Sequence, residues 1–128
     1  MTVQLNHTIV HCTDKHASAR FYADILGLAA PAEFGPFVVV RTDNDVSLDF
    51  ADGRDAPRPQ HYAFLVSEDR FDAIHARIRA RGLTWWADPH HTLENRVNTN
   101  DGGRGLYWDD PDGHGLEILT VPYGGWRR

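Results

Sequence analysis

Apolar and polar residues alternate along the first part of the chain with the period of a β-strand, and a helical pattern follows. The alternation covers about residues 3–11, and the Thr-Asp pair after it offers a helix N-cap. Apolar residues then recur at helical spacing until Gly27, which supplies a C-terminal stop. Two further strands are predicted at 37–40 and 46–50, separated by a turn rich in Asp and Asn.

The second half of the chain repeats this order. A strand around residue 61 leads into a helix that Ser67 caps and that a glycine ends. A short strand is predicted at 83–86, and stronger ones at 106–108 and 116–121. The Pro-Asp-Gly sequence between the last two strands is a turn signal.

A polar, proline-bearing stretch at 52–60 separates the two halves. The repeat of the pattern with a period near 55 residues indicates the duplication of a βαβββ unit. With 128 residues, the chain has the usual size of one compact domain. We therefore predict an α+β fold in a single domain, 1–128, made of a first module at 1–55 and a second at 60–122.

Three residues that can bind a metal hold related places in the two halves. His7 and His61 lie 54 positions apart, and Glu117 follows 56 positions later. Two imidazoles and one carboxylate form the facial triad that binds a divalent metal and leaves positions open for chemistry. When the halves are superposed, His7 falls on His61 and Asp49 falls on Glu117. Strand alternation points these side chains away from the apolar faces, so a curved sheet with helices outside would gather them in one cleft.

The composition excludes several classes of function. Hydrophobic residues make up 41% and charged residues 24% of the chain, an ordinary globular balance. A formal charge of −5 disfavours nucleic acid and anionic membranes as partners, and no apolar run approaches the ~20 residues of a membrane span. Cys12 is the only cysteine, so no intrachain disulfide is expected. Because the N-terminus lacks the pattern of a signal peptide, we expect a cytoplasmic protein.

Three stretches of the chain resemble the vicinal oxygen chelate superfamily, which includes glyoxalase I, fosfomycin thiol transferases, bleomycin-binding proteins and type I extradiol dioxygenases. They are LNHTIVHCTDKHASARFYADILGL, HYAFLVSEDRFDAIHARIRARGL and GGRGLYWDDPDGHGLEILTVP. Within the superfamily, the chain is similar to the small ring-cleaving oxygenases of chartreusin biosynthesis, whose LDFAD and HYAFLVS segments it shares.

The resemblance implies paired βαβββ modules that form a curved mixed sheet around a metal cleft, in a homodimer that can exchange modules. It also implies that His7, His61 and Glu117 are the metal ligands and that Asp49 lines the cleft. Tyr107, ten residues before Glu117, takes the place of a tyrosine that lies near the substrate oxygen in extradiol enzymes. The expected metal is Fe(II), with Mn, Zn and Ni as alternatives, and the expected reactants are O₂ and a catechol-like or polycyclic aromatic substrate.

The long loop at 84–104 is a candidate lid or substrate-binding segment. Trp85 and Asn98 are its candidate substrate-binding residues, although a tryptophan here is equally well explained as part of the core. Extradiol enzymes carry a histidine in this loop, but Asn98 stands near the matching place. His90 and His91 come earlier in the loop, where a solvated turn is the simpler interpretation.

Three other activities of the superfamily stay open. Fosfomycin-type thiol transferases share the His, His, Glu set, but they place a hydroxyl where this chain has Ile9 and a serine-rich loop where it has DGGRG. A glyoxalase-type enzyme would need Asp49 as a fourth ligand. A drug-binding protein of the bleomycin-resistance kind uses the same cleft without needing the ligand triad.

Overall fold

The computed structural model describes residues 2–53 and 55–125. The chain divides into two compact units, 1–58 and 59–128, and this boundary lies inside the predicted linker. The single-domain assignment itself stays a prediction. The first unit contains β1 (His7–Cys12), α1 (Lys15–Leu26), β2 (Ala32–Phe34), β3 (Phe37–Arg41) and β4 (Ser47–Asp52). The second contains β5 (His61–Leu65), α2 (Glu68–Ala80), β6 (Gly105–Asp109) and β7 (Gly115–Leu119).

The first unit is the predicted βαβββ module, a four-stranded mixed sheet in the order β1-β4-β3-β2. β1 runs parallel to β4, and the remaining pairs are antiparallel. Asp14 caps α1 by accepting a 3.0 Å hydrogen bond from the Ala17 amide, and Gly27 ends the helix in the left-handed conformation at φ 69°. The sequence did not indicate β2, because three exposed residues are too few to show an alternating pattern.

The second unit has the sheet order β5-β7-β6, with β5 and β7 parallel and β6 antiparallel to β7. Ser67 caps α2 as predicted, accepting from the Arg70 amide. The predicted strand at 83–86 is wrong: only Trp86 is bridged, to Tyr107 on one side and Glu94 on the other. On the Glu94 side, two backbone hydrogen bonds flank the bridge, from Asn95 to Trp85 and from Ala87 to Leu93, but the pairing does not extend into a strand. The α+β class is nevertheless confirmed, with two small mixed sheets and two helices.

Alternation along the strands separates a buried face from an open one in the second unit. Leu106 and Trp108 on β6 are fully buried, as are the three apolar residues of α2 that face inward. On β7 the residues flanking Glu117 are also buried, whereas Glu117 points to the opposite, open face. No helix in the described ranges is long and apolar enough to cross a membrane.

Candidate metal centre

Strand register fixes which side chains share the open face of the second unit. Ala63, Glu117 and Tyr107 form one row across β5, β7 and β6, since each is paired with the next. Trp86 extends this row, because its amide and carbonyl both bond to the backbone of Tyr107, at 2.9 and 2.8 Å. Residues paired in this way project to the same side of a sheet. His61 lies on the same face, one row away.

His61 and Glu117 are in direct contact on this face. The Nε2 atom of His61 lies 2.9 Å from Oε1 of Glu117. The other ring nitrogen, Nδ1, lies 3.0 Å from the carbonyl oxygen of Gly115, which can only accept a hydrogen bond. This contact places a proton on Nδ1, and an imidazole protonated only there turns its Nε2 lone pair toward the carboxylate. Two electron-pair donors that face each other are suited to sharing a cation, and a histidine ligand oriented through a backbone carbonyl is common in metal sites.

Tyr107 lies beside this pair. Its ring centroid is 6.0 Å from that of His61, and its hydroxyl is hydrogen-bonded to Glu117. Burial, and then the negative charge of Glu117, raise the pKa of Tyr107 to about 12. The hydroxyl is therefore protonated at neutral pH and acts as a hydrogen-bond donor.

The first unit holds the equivalent positions in the same register. His7 is paired with Ser47 as His61 is paired with Gly115. Asp49 is buried, with 8% of its surface exposed, and it accepts a 2.5 Å hydrogen bond from the Ser47 hydroxyl. His7 is exposed, and its Nδ1 lies 2.7 Å from Oδ1 of Asn6. The duplication read from the sequence thus extends to the pairing of the strands.

Within the part of the chain that the structure describes, neither unit gathers three His, Cys, Asp or Glu side chains able to hold a metal. The second unit supplies one imidazole and one carboxylate, His61 and Glu117. Assignment of His7 as the third ligand and of Asp49 as a cleft residue stays a prediction.

The two predicted substrate-binding residues of the long loop have structural partners. The ring of Trp85 packs edge-on against His75 of α2, at a centroid distance of 4.9 Å, which places it on the helix side of the unit. Asn98 donates a 2.8 Å hydrogen bond to the carbonyl of Ala87 and accepts one from the Asn100 amide, so it braces the loop. Their role in substrate binding stays a prediction, and Trp86 is the tryptophan that shares the open face.

Sequence reasoning missed a cluster made by Trp86, His91 and Asp109. The imidazole of His91 stacks on the indole of Trp86, with centroids 3.6 Å apart and planes 7° from parallel. Its Nε2 lies 3.4 Å from Oδ1 of Asp109. His91 lies in an exposed bend of the loop, and its side chain is 38% exposed, but the ring also has these two partners. The only signal in the sequence was the His-His pair in a long loop.

Two adjoining cavities open on this face, with volumes of about 450 and 380 Å³. They share a wall made by Tyr107, Glu117, Leu119 and Tyr123. The smaller one also reaches His61, Ala63 and Pro89 and is mostly apolar, whereas the larger extends to Asn98, Asn100, Asp101 and Arg104. A ligand with a flat apolar part fits the smaller cavity.

Comparison with known families identifies the fold. Residues 4–118 match the family model of the Glyoxalase/Bleomycin resistance protein/Dioxygenase superfamily. The chain belongs to this superfamily. Its members generally depend on a divalent metal, bind small-molecule substrates and often form dimers.

Two solved structures of the superfamily are very similar to this chain. Oxidase ChaP-H1 is 69% identical, with a TM-score of 0.95 over 97% of this chain and 100% of its own. Oxidase ChaP-H2 is 64% identical, with a TM-score of 0.95 over 98% and 100%. The likeness to the oxidases of the chartreusin type is thereby confirmed.

More distant members of the superfamily are fosfomycin-resistance proteins. The glutathione transferase FosA of Serratia marcescens is 31% identical over 92% of this chain and 81% of its own length. The metallothiol transferase FosB of Lysinibacillus sphaericus is 28% identical over 94% and 84%.

Proposed function

We propose that this protein is a metal-dependent oxygenase that cleaves a catechol-like or polycyclic aromatic ring by extradiol-type chemistry with Fe(II). The observation that carries the proposal is the His61–Glu117 pair, which faces a cavity and presents two electron-pair donors to a common point. The relatives named oxidases, at 64–69% identity, support oxygen chemistry over the other activities of the superfamily.

His7, His61 and Glu117 are the proposed ligands. The donor set of two neutral imidazoles and one carboxylate suits Fe(II), and Mn, Zn and Ni accept similar ligands. One carboxylate leaves a divalent ion with a net positive charge, which favours an anionic substrate with two neighbouring oxygens. When bound, the metal supplies Lewis acidity and a place for the substrate and O₂ side by side.

The other residues of the second unit orient the reactants. The Gly115 carbonyl holds the imidazole of His61 so that Nε2 faces the cavity. Tyr107 donates a hydrogen bond toward the Glu117 side of the site, and Ala63 and Leu119 provide an apolar floor that excludes water. Asp49 lines the cleft in this proposal and is not a ligand.

The first experiment measures metal affinity and oxygen consumption. His61→Ala and Glu117→Gln each remove one donor, so we expect the dissociation constant for Zn(II) or anaerobic Fe(II) to rise by about 100-fold or more, since losing even an outer-sphere partner costs 10–100-fold. His90→Ala is the matched control and should bind metal like the wild type. Oxygen uptake is then followed with a panel of catechols and polycyclic diols. Unchanged metal binding and turnover in His61→Ala would refute the proposal.

Fosfomycin-type thiol transfer is the second candidate, favoured by the 31% identity with FosA. Ile9 replaces the expected hydroxyl, and the 101–105 segment is not serine-rich, which argues against it. Addition of a thiol to an epoxide without oxygen uptake would favour this class. A glyoxalase-type reaction would need Asp49, whose carboxylate is held by Ser47. Tight drug binding without turnover or metal would indicate a binding protein.

A further inference from the structure

The Trp86, His91 and Asp109 cluster is not explained by metal binding or by the core. All three side chains belong to the second unit, and Trp86 and Asp109 project from the same face as Tyr107 and Glu117. Asp109 stands two residues after Tyr107 on β6, whereas Trp86 is paired with Tyr107 from the other side. The imidazole of His91 lies between them, stacked on the indole and next to the carboxylate.

The backbone holds His91 in this place. Its φ of 60° lies in the left-handed region, which histidine tolerates better than most residues but which still costs free energy. The His91 amide donates to the Asp88 carbonyl, and the Asp88 side chain binds the amides of Thr92 and Leu93, which follow directly. These bonds hold the backbone on both sides of His91, although the proposed metal site does not require a histidine at this position.

The distance across the sheet defines what this imidazole can reach. Trp86 is separated from Glu117 by β6, which is two strand spacings, or about 10 Å. The ring of Tyr107 lies in between. A single aromatic ring chelated near His61 and Glu117 would end short of His91, whereas a flat fused-ring system would reach it.

The surroundings of the two ring nitrogens of His91 indicate which chemical group this imidazole would bind. Nε2 faces the Asp109 carboxylate at 3.4 Å, so Nδ1 is the ring nitrogen left for a ligand. Burial raises the pKa of Asp109, an effect that the neighbouring His91 opposes. A hydroxyl group can donate to or accept from an imidazole nitrogen, so Nδ1 suits a ligand that carries a hydroxyl group at this end of the aromatic row.

We propose that His91, positioned by Trp86 and Asp109, binds a hydroxyl group on the far ring of a fused polycyclic substrate whose other end is held at His61 and Glu117. His91 is thus a specificity-determining residue that distinguishes polycyclic diols from simple catechols. The inference rests on the proposed function, because it takes the metal centre as the anchor of the substrate.

Two dyes with visible absorption test this inference without any turnover. Alizarin and quinalizarin are both anthraquinones with neighbouring hydroxyls on one ring, and quinalizarin carries two more on the opposite ring. Protein loaded with Zn(II), which does not react with O₂, is titrated with each dye. We expect the wild type to bind quinalizarin about fivefold to tenfold more tightly than alizarin, the range of one added hydrogen bond.

Variants at positions 91 and 109, whose side chains are in contact, show whether these residues cause the difference in dye affinity. His91→Phe keeps a ring to stack on Trp86 but removes both ring nitrogens, so the two dyes should bind equally. His91→Gln restores a hydrogen-bonding group and should recover part of the preference for quinalizarin. Asp109→Asn should reduce the wild-type preference for quinalizarin. His90→Phe is the matched control and should keep the wild-type ratio. If His91→Phe fails to fold, the His91→Gln and Asp109→Asn ratios decide.

The outcomes separate this inference from the proposed function. Equal binding of the dyes by the wild type, binding of neither dye by the zinc protein, or an unchanged ratio in the variants at 91 and 109 would overturn the inference and leave the metal site in place. A wild-type protein that binds no divalent metal would overturn both.

Discussion

Histidines of the second unit show how differently one residue type is used within a small structure. His61 contacts a carboxylate through Nε2, and His91 stacks on a tryptophan. His114 is fully buried, and its Nδ1 accepts a 2.9 Å hydrogen bond from the Gln60 amide that leads into β5. The Nε2 atom of His75 is buried without a hydrogen-bond partner among the described residues. Residue type alone does not distinguish these roles.

His75 provides a prediction about pH. Burial, followed by the charges of Arg79 and Arg104, lowers the pKa of His75 below its ordinary value, against the opposing charge of Asp72. Below the unfolded-state pKa of about 6.5, His75 therefore binds a proton in the unfolded chain but stays neutral in the folded protein until its lower pKa is reached. Stability contributed by neutral His75 is complete at higher pH and is lost as the pH falls from about 7 toward its folded pKa.

His75→Leu should remove this acid sensitivity. Urea unfolding at pH 7.5 and 5.5 should show a smaller loss of unfolding free energy in the variant, by less than ~1 kcal/mol because the ring is partly screened by solvent. His90→Leu, on the neighbouring loop, should show the wild-type loss. Identical losses in the wild type and in His75→Leu would contradict the prediction.

At the scale of elements, the entry to β6 contains two glycines that have no room for a side chain. A Cβ atom on Gly103 would lie 2.7 Å from both Thr120 Oγ1 and Val121 Cγ2, and one on Gly105 would lie 2.9 Å from the Asn98 side chain. The two glycines therefore let the chain that enters β6 lie close to the residues that follow β7 and to the long loop.

Gly103→Ala should therefore destabilise the protein, by about 1–3 kcal/mol, since overpacking forces neighbouring atoms to move. Gly53→Ala is the matched control: a Cβ atom there meets nothing within 4 Å, so the unfolding free energy should change little. Thermal and urea unfolding measure both variants. Equal unfolding free energies for Gly103→Ala and the wild type would contradict the prediction, because they would show that the chain entering β6 can accommodate a side chain.

For the whole molecule, the superfamily assignment and the exposed apolar residues both favour self-association. Phe34 on the edge strand β2 is 73% exposed, and Ile9 and Leu65 are 41% and 50% exposed. Unpaired edge strands with apolar side chains are frequent sites of association between chains. We predict a homodimer whose two chains can exchange modules.

Sedimentation equilibrium tests this prediction directly. The wild type should show twice the mass of one chain at micromolar concentration, and Phe34→Asp should raise the dimer dissociation constant at least about tenfold, since burying an unpaired charge is costly. Leu93→Asp, an exposed apolar position on the long loop, is the control and should leave the dimer intact. A single-chain mass for the wild type over the whole concentration range would contradict it.

By itself, the sequence determined the helices and most strands, the duplicated plan and the superfamily, because these depend on local patterns. Asp14, Gly27 and Ser67 act within one helical turn of their own positions, so capping was readable without coordinates. Tertiary structure decided the surroundings of the site. Trp86 rather than Trp85 shares the face of Glu117 because of its pairing with Tyr107, and His91 has a role only because the folded loop brings it against Asp109. Both facts depend on contacts between residues distant along the chain, and periodicity within a short window carries no information about them.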